Sequence, residues 1–331
     1  MHWSLCLVVI ISSFLVGCVP SAKSPAQRNS ATTPVNKTVL SERLETGRQE
    51  LMQRAVERKL ERVAIDLGSL AESSILLTLE KADQRQMDLG ASKVGGQPDL
   101  PASTEWPRWN GVPLAFIAQL RMADAAKYDT EGQLPSTGTL YFFYDVKQRT
   151  WGFDPKDRGS WRVIYVADDN AQLQRTEPPA DLPKEGRFSA CSVGFCVDLT
   201  LPAFDTHYVR RLQLSEKERD EYVKLEAELQ GERPAINRLL GHPDPIQNEM
   251  QLECQLTSNG LYTGNASGWD DPRRKELEKG AADWQLLLQI DSEDDKTGMM
   301  WGDCGRLYFW IRKQDLQKRD FGKVWMILQC S

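Results

Sequence analysis

The chain has 331 residues, 40% hydrophobic and 27% charged, which supplies one large core or two smaller ones and excludes a disordered or fibrous protein. Its formal net charge of −6 at pH 7 argues against a nucleic-acid partner, because affinity for a phosphate backbone comes mainly from Lys and Arg.

From Met1 to Ala22 no residue carries a formal charge, and Leu5 to Val16 is an apolar run too short to span a bilayer comfortably. It reads as the apolar region of a signal peptide over residues 1–17. Leu15, Val16, Gly17 and Cys18 close that run and resemble the lipobox of bacterial lipoproteins, which implies cleavage before Cys18 and diacylglycerol on its thiol. The alternative is an uncleaved signal anchor from Trp3 to Val19. Either way the bulk of the chain is expected outside the cytoplasm, held at the membrane. Val19 stands where an Asp would resemble the inner-membrane retention signal, so the resemblance implies the outer membrane, facing the periplasm, in a Gram-negative host. Residues 18–39 are expected to form a flexible tether, since Ser21 to Thr38 is rich in Ser, Thr, Pro, Ala and Asn and offers little apolar surface to bury.

The next stretch is expected to be a long amphipathic helix. Ser41 is a candidate cap, and Leu44, Leu51, Ala55, Leu60, Val63, Leu67, Leu70 and Leu77 recur at three-, four- and seven-residue steps, with Gly68 as a candidate break. Packing on the protein's own sheet and a partner-binding coiled coil are both open to it. After Gly90 the chain becomes rich in Gly, Pro and Trp, which reads as turns. Strands are expected over Leu114–Leu120, Thr139–Asp145 and Trp161–Ala167. Ser215 and Glu218 form a capping box for a helix to Gln230, with Gly231 as its stop. A short helix follows Pro272, and Asp283–Asp291, Arg306–Ile311 and Lys323–Gln329 read as strands.

Two portions of the chain echo one another. Phe116 to Leu120 is matched by Leu287 to Ile290, with Gln119 set against Gln289, and Gly138 to Tyr144 is matched by Gly305 to Ile311. This predicts duplicated antiparallel β units forming mixed sheets with supporting helices, an α+β fold, with halves at about residues 90–210 and 235–331 of a domain spanning 40–331.

The same residues carry a family resemblance. Lys93-Val94-Gly95-Gly96-Gln97-Pro98, the Gln119 strand, Gly138 to Phe143, Leu239-Leu240-Gly241-His242-Pro243, the Gln289 strand and Trp301 to Ile311 occur in order, and over residues 40 to 330 the chain resembles the YwqG-like bacterial proteins, a family without an established activity. The resemblance implies a duplicated α+β fold and supplies no catalytic residues. The lipobox and tether depart from the family's familiar members, which look like cytoplasmic proteins.

Candidate chemistry is sparse. Beyond Cys18 and Cys6, the cysteines are Cys191, Cys196, Cys254, Cys304 and Cys330, an odd number. Cys191 and Cys196 are close enough in sequence for a small loop disulfide, and buried free thiols are the alternative. His207 and His242 lack a paired-ligand pattern, and Lys296 and Gly302 occupy positions where a calcium loop around Asp291, Glu293, Asp294 and Asp295 would need Gly and Glu. No metal and no cofactor are expected, there being no phosphate loop or dinucleotide fingerprint. Gln119 and Gln289, on equivalent strands, are candidates to line a cleft or to tie the sheets together, with His242, Trp301 and Asp303 as further candidate cleft residues. The expected function is a noncatalytic binding or protein-interaction module, with an immunity-type inhibitor as one version. An envelope enzyme acting on cell-wall material, with His242 or carboxylates as acid and base, and a purely structural envelope protein are the alternatives.

Overall fold

The computed structural model describes residues 35–331 apart from 232 and 234, so the signal segment, the Cys18 lipid site and most of the tether lie outside the described residues. The first helix, α1, is Lys37–Glu57. Its cap is Asn36, whose side chain accepts from the Thr38 N–H, so Ser41 sits one turn inside the helix and the helix begins within the expected tether. Leu40, Leu44, Leu51 and Ala55 make its buried stripe. The expected break at Gly68 is instead at Arg58 to Leu60, where Lys59 turns into the left-handed region with φ 62°. Gly68 lies inside the second helix, α2, Ala64–Leu70. Leu77 belongs to no helix: it lies in strand β1, Glu72–Lys81.

The remaining main strands are β2 Lys93–Val94, β3 Ala115–Arg121, β4 Thr139–Tyr144, β5 Trp161–Val166, β6 Cys191–Thr200, β7 Asn237–Leu239, β8 Trp284–Asp291, β9 Arg306–Arg312 and β10 Trp325–Gln329. They form one ten-stranded sheet in the order β10-β9-β8-β7-β1-β6-β2-β3-β4-β5. Every pairing in it is antiparallel, so the fold is α+β with a large antiparallel sheet rather than mixed sheets. The central strands β1 and β6 pair from Glu72↔Thr200 to Lys81↔Cys191. Outside them, β4 and β9 hold corresponding places, each second from an edge, and β3 and β8 each carry a bulge, between Phe116 and Ala118 and between Leu286 and Leu288.

The sheet rolls until its edges meet. Trp161 of β5 and Trp325 of β10 stand edge to face with centroids 4.9 Å apart, and the Trp161 indole donates to the Val324 carbonyl at 2.9 Å. Phe142 and Phe309, from the two flanks, touch at 5.1 Å inside the roll. Closing the edges this way covers backbone that would otherwise template pairing with another chain. A second core forms where α1 and α2 bury Leu44, Leu51 and Leu67 against Val197 and Leu199 of β6, together with Tyr222 and Leu225.

Three further helices bear on the site: α3 His207–Arg210, α4 Glu216–Gln230 and α5 Gln251–Ser258. The expected capping box is present on α4, Ser215 Oγ accepting from the Glu218 N–H at 3.3 Å and the Glu218 carboxylate from the Ser215 N–H at 2.8 Å. A final short helix, α6, is Lys313–Gln317. Among the described residues no helix is long and apolar enough to cross a membrane.

Candidate functional site

The site is built on the loop that leaves β7. Arg238-Leu239-Leu240-Gly241-His242-Pro243-Asp244 turns sharply through two left-handed residues, Leu240 at φ 59° and Gly241 at φ 68°. A Cβ on Gly241 would lie 2.6 Å from Ser74 Cβ and 2.8 Å from Thr200 Oγ1, so the loop closes onto the central strands only with glycine here. The His242 N–H donates to Thr200 Oγ1 at 2.9 Å, and Arg238 donates to the His242 carbonyl at 2.9 Å. Asp244 is fixed by its N–H to Gln289 Oε1 at 2.9 Å, by its carbonyl to the Tyr308 hydroxyl at 2.7 Å and by its carboxylate to Arg306 at 2.7 Å.

That scaffold immobilises the His242 ring. Its Nε2 lies 2.8 Å from the Leu70 carbonyl, an acceptor only, so the Nε2–H tautomer is the one that bonds and Nδ1 is left as an acceptor. Burial holds the imidazole below its usual pKa, outweighing the Glu72 carboxylate 3.8 Å from Nε2. Tyr208 of α3 stands edge-on to His242 with centroids 5.7 Å apart, and burial raises its phenol pKa. On the other side of Tyr208 lies His207, whose ring bonds Glu249.

Beside this loop is a groove of about 560 Å³, within the range of small-molecule sites. It crosses the strand ends from β1 to β9, so its floor passes under Ser73, Leu240, Leu286 and Trp310. Its two ends differ in charge. Glu72 and Glu131 stand at the β1 end, where Thr130 Oγ1 bonds Ser73, and Lys313 and Arg319 stand beyond the end of β9. Between them are the amides of Gln251, Gln285 and Gln317, none of which bonds another described residue. The indole Nε1 of Trp310 is also buried without a partner among the described residues.

The same construction occurs across the sheet. Lys93-Val94-Gly95-Gly96-Gln97-Pro98-Asp99 leaves β2 with two left-handed residues at the same places, Gly95 at φ 70° and Gly96 at φ 72°. The Asp99 N–H donates to Gln119 Oε1 at 2.7 Å, and the Asp99 carbonyl accepts from the Tyr141 hydroxyl at 2.6 Å. A smaller cavity of about 360 Å³ adjoins this loop, with Gly96, Gln97 and Phe116 standing where Gly241, His242 and Leu286 stand in the groove. There Gln97 is tied down by Gln84 and Glu177.

The sequence candidates therefore do not converge. Gln119 and Gln289 are buried in opposite flanks, each spent on a loop, and neither lines the groove. Trp301 is buried against Tyr144 and Phe188, with its indole on the Asp291 carbonyl, and Asp303 is exposed away from the groove. Of the five candidate cleft residues only His242 lines it. The Cys191–Cys196 bridge is not formed: Cys191 is a buried free thiol. Both residues lie on the extended strand β6, where a five-residue step spans about 17 Å, far beyond the reach of a disulfide. Asp291 and Glu293 turn to Arg306 and Asn237 rather than to a common point. Glu72, Tyr208, Gln251, Trp310 and Lys313 escaped sequence reasoning because nothing local links them. The signal that would have found their position is the alignment of Lys93–Asp99 with Arg238–Asp244.

The family model described as Domain of unknown function (DUF1963) matches residues 92–330, well over half of the chain, so the chain belongs to that family. No curated protein matches it.

Proposed function

We propose that this member of the DUF1963 family is a noncatalytic binding protein of the bacterial envelope, anchored through a lipid on Cys18, whose ligand enters the groove beside His242. The reading rests on one observation: the groove joins unbonded amides and aromatic rings around a histidine already committed to a backbone carbonyl. Such walls recognise by hydrogen bonding and shape, and the His242 Nδ1 that could serve as a base bonds no hydroxyl or thiol among the described residues. The matched loops of the two flanks support an internal duplication and the YwqG-like assignment within the family. On this reading one copy of the loop keeps the larger groove open, and the other adjoins a smaller cavity in which Gln97 is tied to Gln84 and Glu177. An immunity-type role would place a partner's segment in the same groove.

The test uses the full chain and its Gln285→Trp variant, in which an indole fills the groove without breaking a side-chain hydrogen bond. Each is incubated with small molecules from envelope extract, with cell-wall fragments, and with ester and phosphoester substrates. Retention by wild type alone, without product, is the expected result. Turnover that disappears in His242→Ala while folding persists would move the protein into the enzyme class. Cys18→Ala should abolish lipid labelling in the native host, and equal labelling of both forms would remove the anchor.

A further inference from the structure

We propose that the groove binds a short zwitterionic peptide, lying across the strand ends with its ammonium toward Glu72 and Glu131 and its carboxylate toward Lys313 and Arg319. This deepens the binding-protein reading and rests on it. Three features carry it. First, the charges are segregated: strands β1, β7, β8 and β9 are consecutive neighbours, so the acidic end at β1 and the basic end at β9 are separated by about 14 Å of sheet. An extended peptide rises about 3.4 Å per residue, so three or four residues bridge the two ends. Second, the end groups lack an opposite charge: Glu131 accepts only from the neutral Gln133 amide, at 2.9 Å. Glu72 keeps 52% of its side chain exposed, and neither Lys313 nor Arg319 pairs with a carboxylate among the described residues. Third, the wall between the charges is made of Gln251, Gln285 and Gln317, whose amides each offer a donor and an acceptor, the complement of a peptide group. An anionic ligand would meet the two carboxylates and a cationic one the two basic groups, while a neutral ligand would leave both pairs without a counter-charge.

The probe is tetra-alanine, titrated into the full chain and followed by isothermal titration calorimetry. Free tetra-alanine should bind. Acetylating its N-terminus or amidating its C-terminus should each weaken binding about fivefold, the worth of one partly exposed ion pair. In Glu72→Gln the acetylation penalty should shrink, Glu131 remaining, while the amidation penalty stays, and in Lys313→Gln the amidation penalty should shrink, Arg319 remaining, while the acetylation penalty stays. Both variants alter exposed charges, so circular dichroism matching wild type is expected. Failure of tetra-alanine to bind at millimolar concentration, or equal binding of the blocked peptides, would overturn the peptide assignment. Binding of N-acetylglucosamine oligomers in place of tetra-alanine would overturn it too, yet leave the binding-protein reading intact. Release of free alanine that is lost in His242→Ala would overturn the noncatalytic reading while keeping the peptide.

Discussion

Gln119 and Gln289 make the same pair of hydrogen bonds in opposite flanks of the sheet. Each side-chain oxygen accepts from an aspartate N–H, Asp99 at 2.7 Å and Asp244 at 2.9 Å, and each amide donates to a carbonyl two residues before a buried basic residue, Ala91 at 2.7 Å and Ile236 at 2.8 Å. Both glutamines are fully buried, so the bonds cannot be exchanged for water. Gln119→Leu and Gln289→Leu should therefore each cost roughly 2–4 kcal/mol, because each orphans a buried N–H and a carbonyl. The two losses should add in the double variant, since the sites share no partner. Urea denaturation measures this, and a negligible loss at either site would contradict the account of the loops.

The sharp turn at Gly241 yields a second expectation. Gly241→Ala combines left-handed backbone with a clash at Ser74 and should destabilise by roughly 2–4 kcal/mol. Gly260 is the control, with φ +88° and nothing within 4 Å of an added Cβ, so Gly260→Ala should cost only about 1 kcal/mol. Equal melting temperatures of the two variants would mean that the loop does not close as described.

These loops also mark what the sequence discloses. The outer strands were legible because each is a short apolar and aromatic run bounded by turn residues, and the α4 capping box was legible because its bonds are local. The central pair was not. Glu72–Lys81 continues the leucine spacing of the helices before it, and Cys191–Thr200 is only partly buried from Ser192 to Cys196, so neither shows a clean period of two. Gln119 and Gln289 were visible as equivalents, but their burial among apolar neighbours fits a tie as well as a cleft. Only the tertiary positions of Asp99 and Asp244 decide between them. The groove was invisible because its walls come from strand ends far apart in the chain.

Stability should depend on pH through Glu226 of α4. Burial, then the carboxylates of Asp244 and Asp205, push its pKa from 4.5 up to about 8, and Asp198, Arg233 and Arg238 line the same small pocket. The folded chain thus holds this proton more tightly than the unfolded chain. The resulting stabilisation is fully present below about pH 4.5 and is lost as pH rises through about 8. Glu226→Gln should remove that decline and exceed wild type in stability at about pH 9. Glu253, raised to about 7 in its own buried site, declines in both proteins and cancels from the comparison. Parallel pH profiles would show that Glu226 is not held protonated.

Cys191 supplies a check on the central strands. Alkylated with iodoacetamide in denaturant without reductant, it should carry the label quantitatively, whereas in the folded chain it should be protected. Recovery of a Cys191–Cys196 crosslinked peptide would mean that β6 is not the extended strand described.

Binding in the groove without chemistry is tested most directly by equilibrium dialysis of the full chain against envelope small molecules, with mass analysis of both compartments. The account predicts at least one species enriched on the protein side, unchanged in mass and total amount, with the enrichment lost in Gln285→Trp. Absence of enrichment, or conversion of a species to a new mass that stops in His242→Ala, would contradict it.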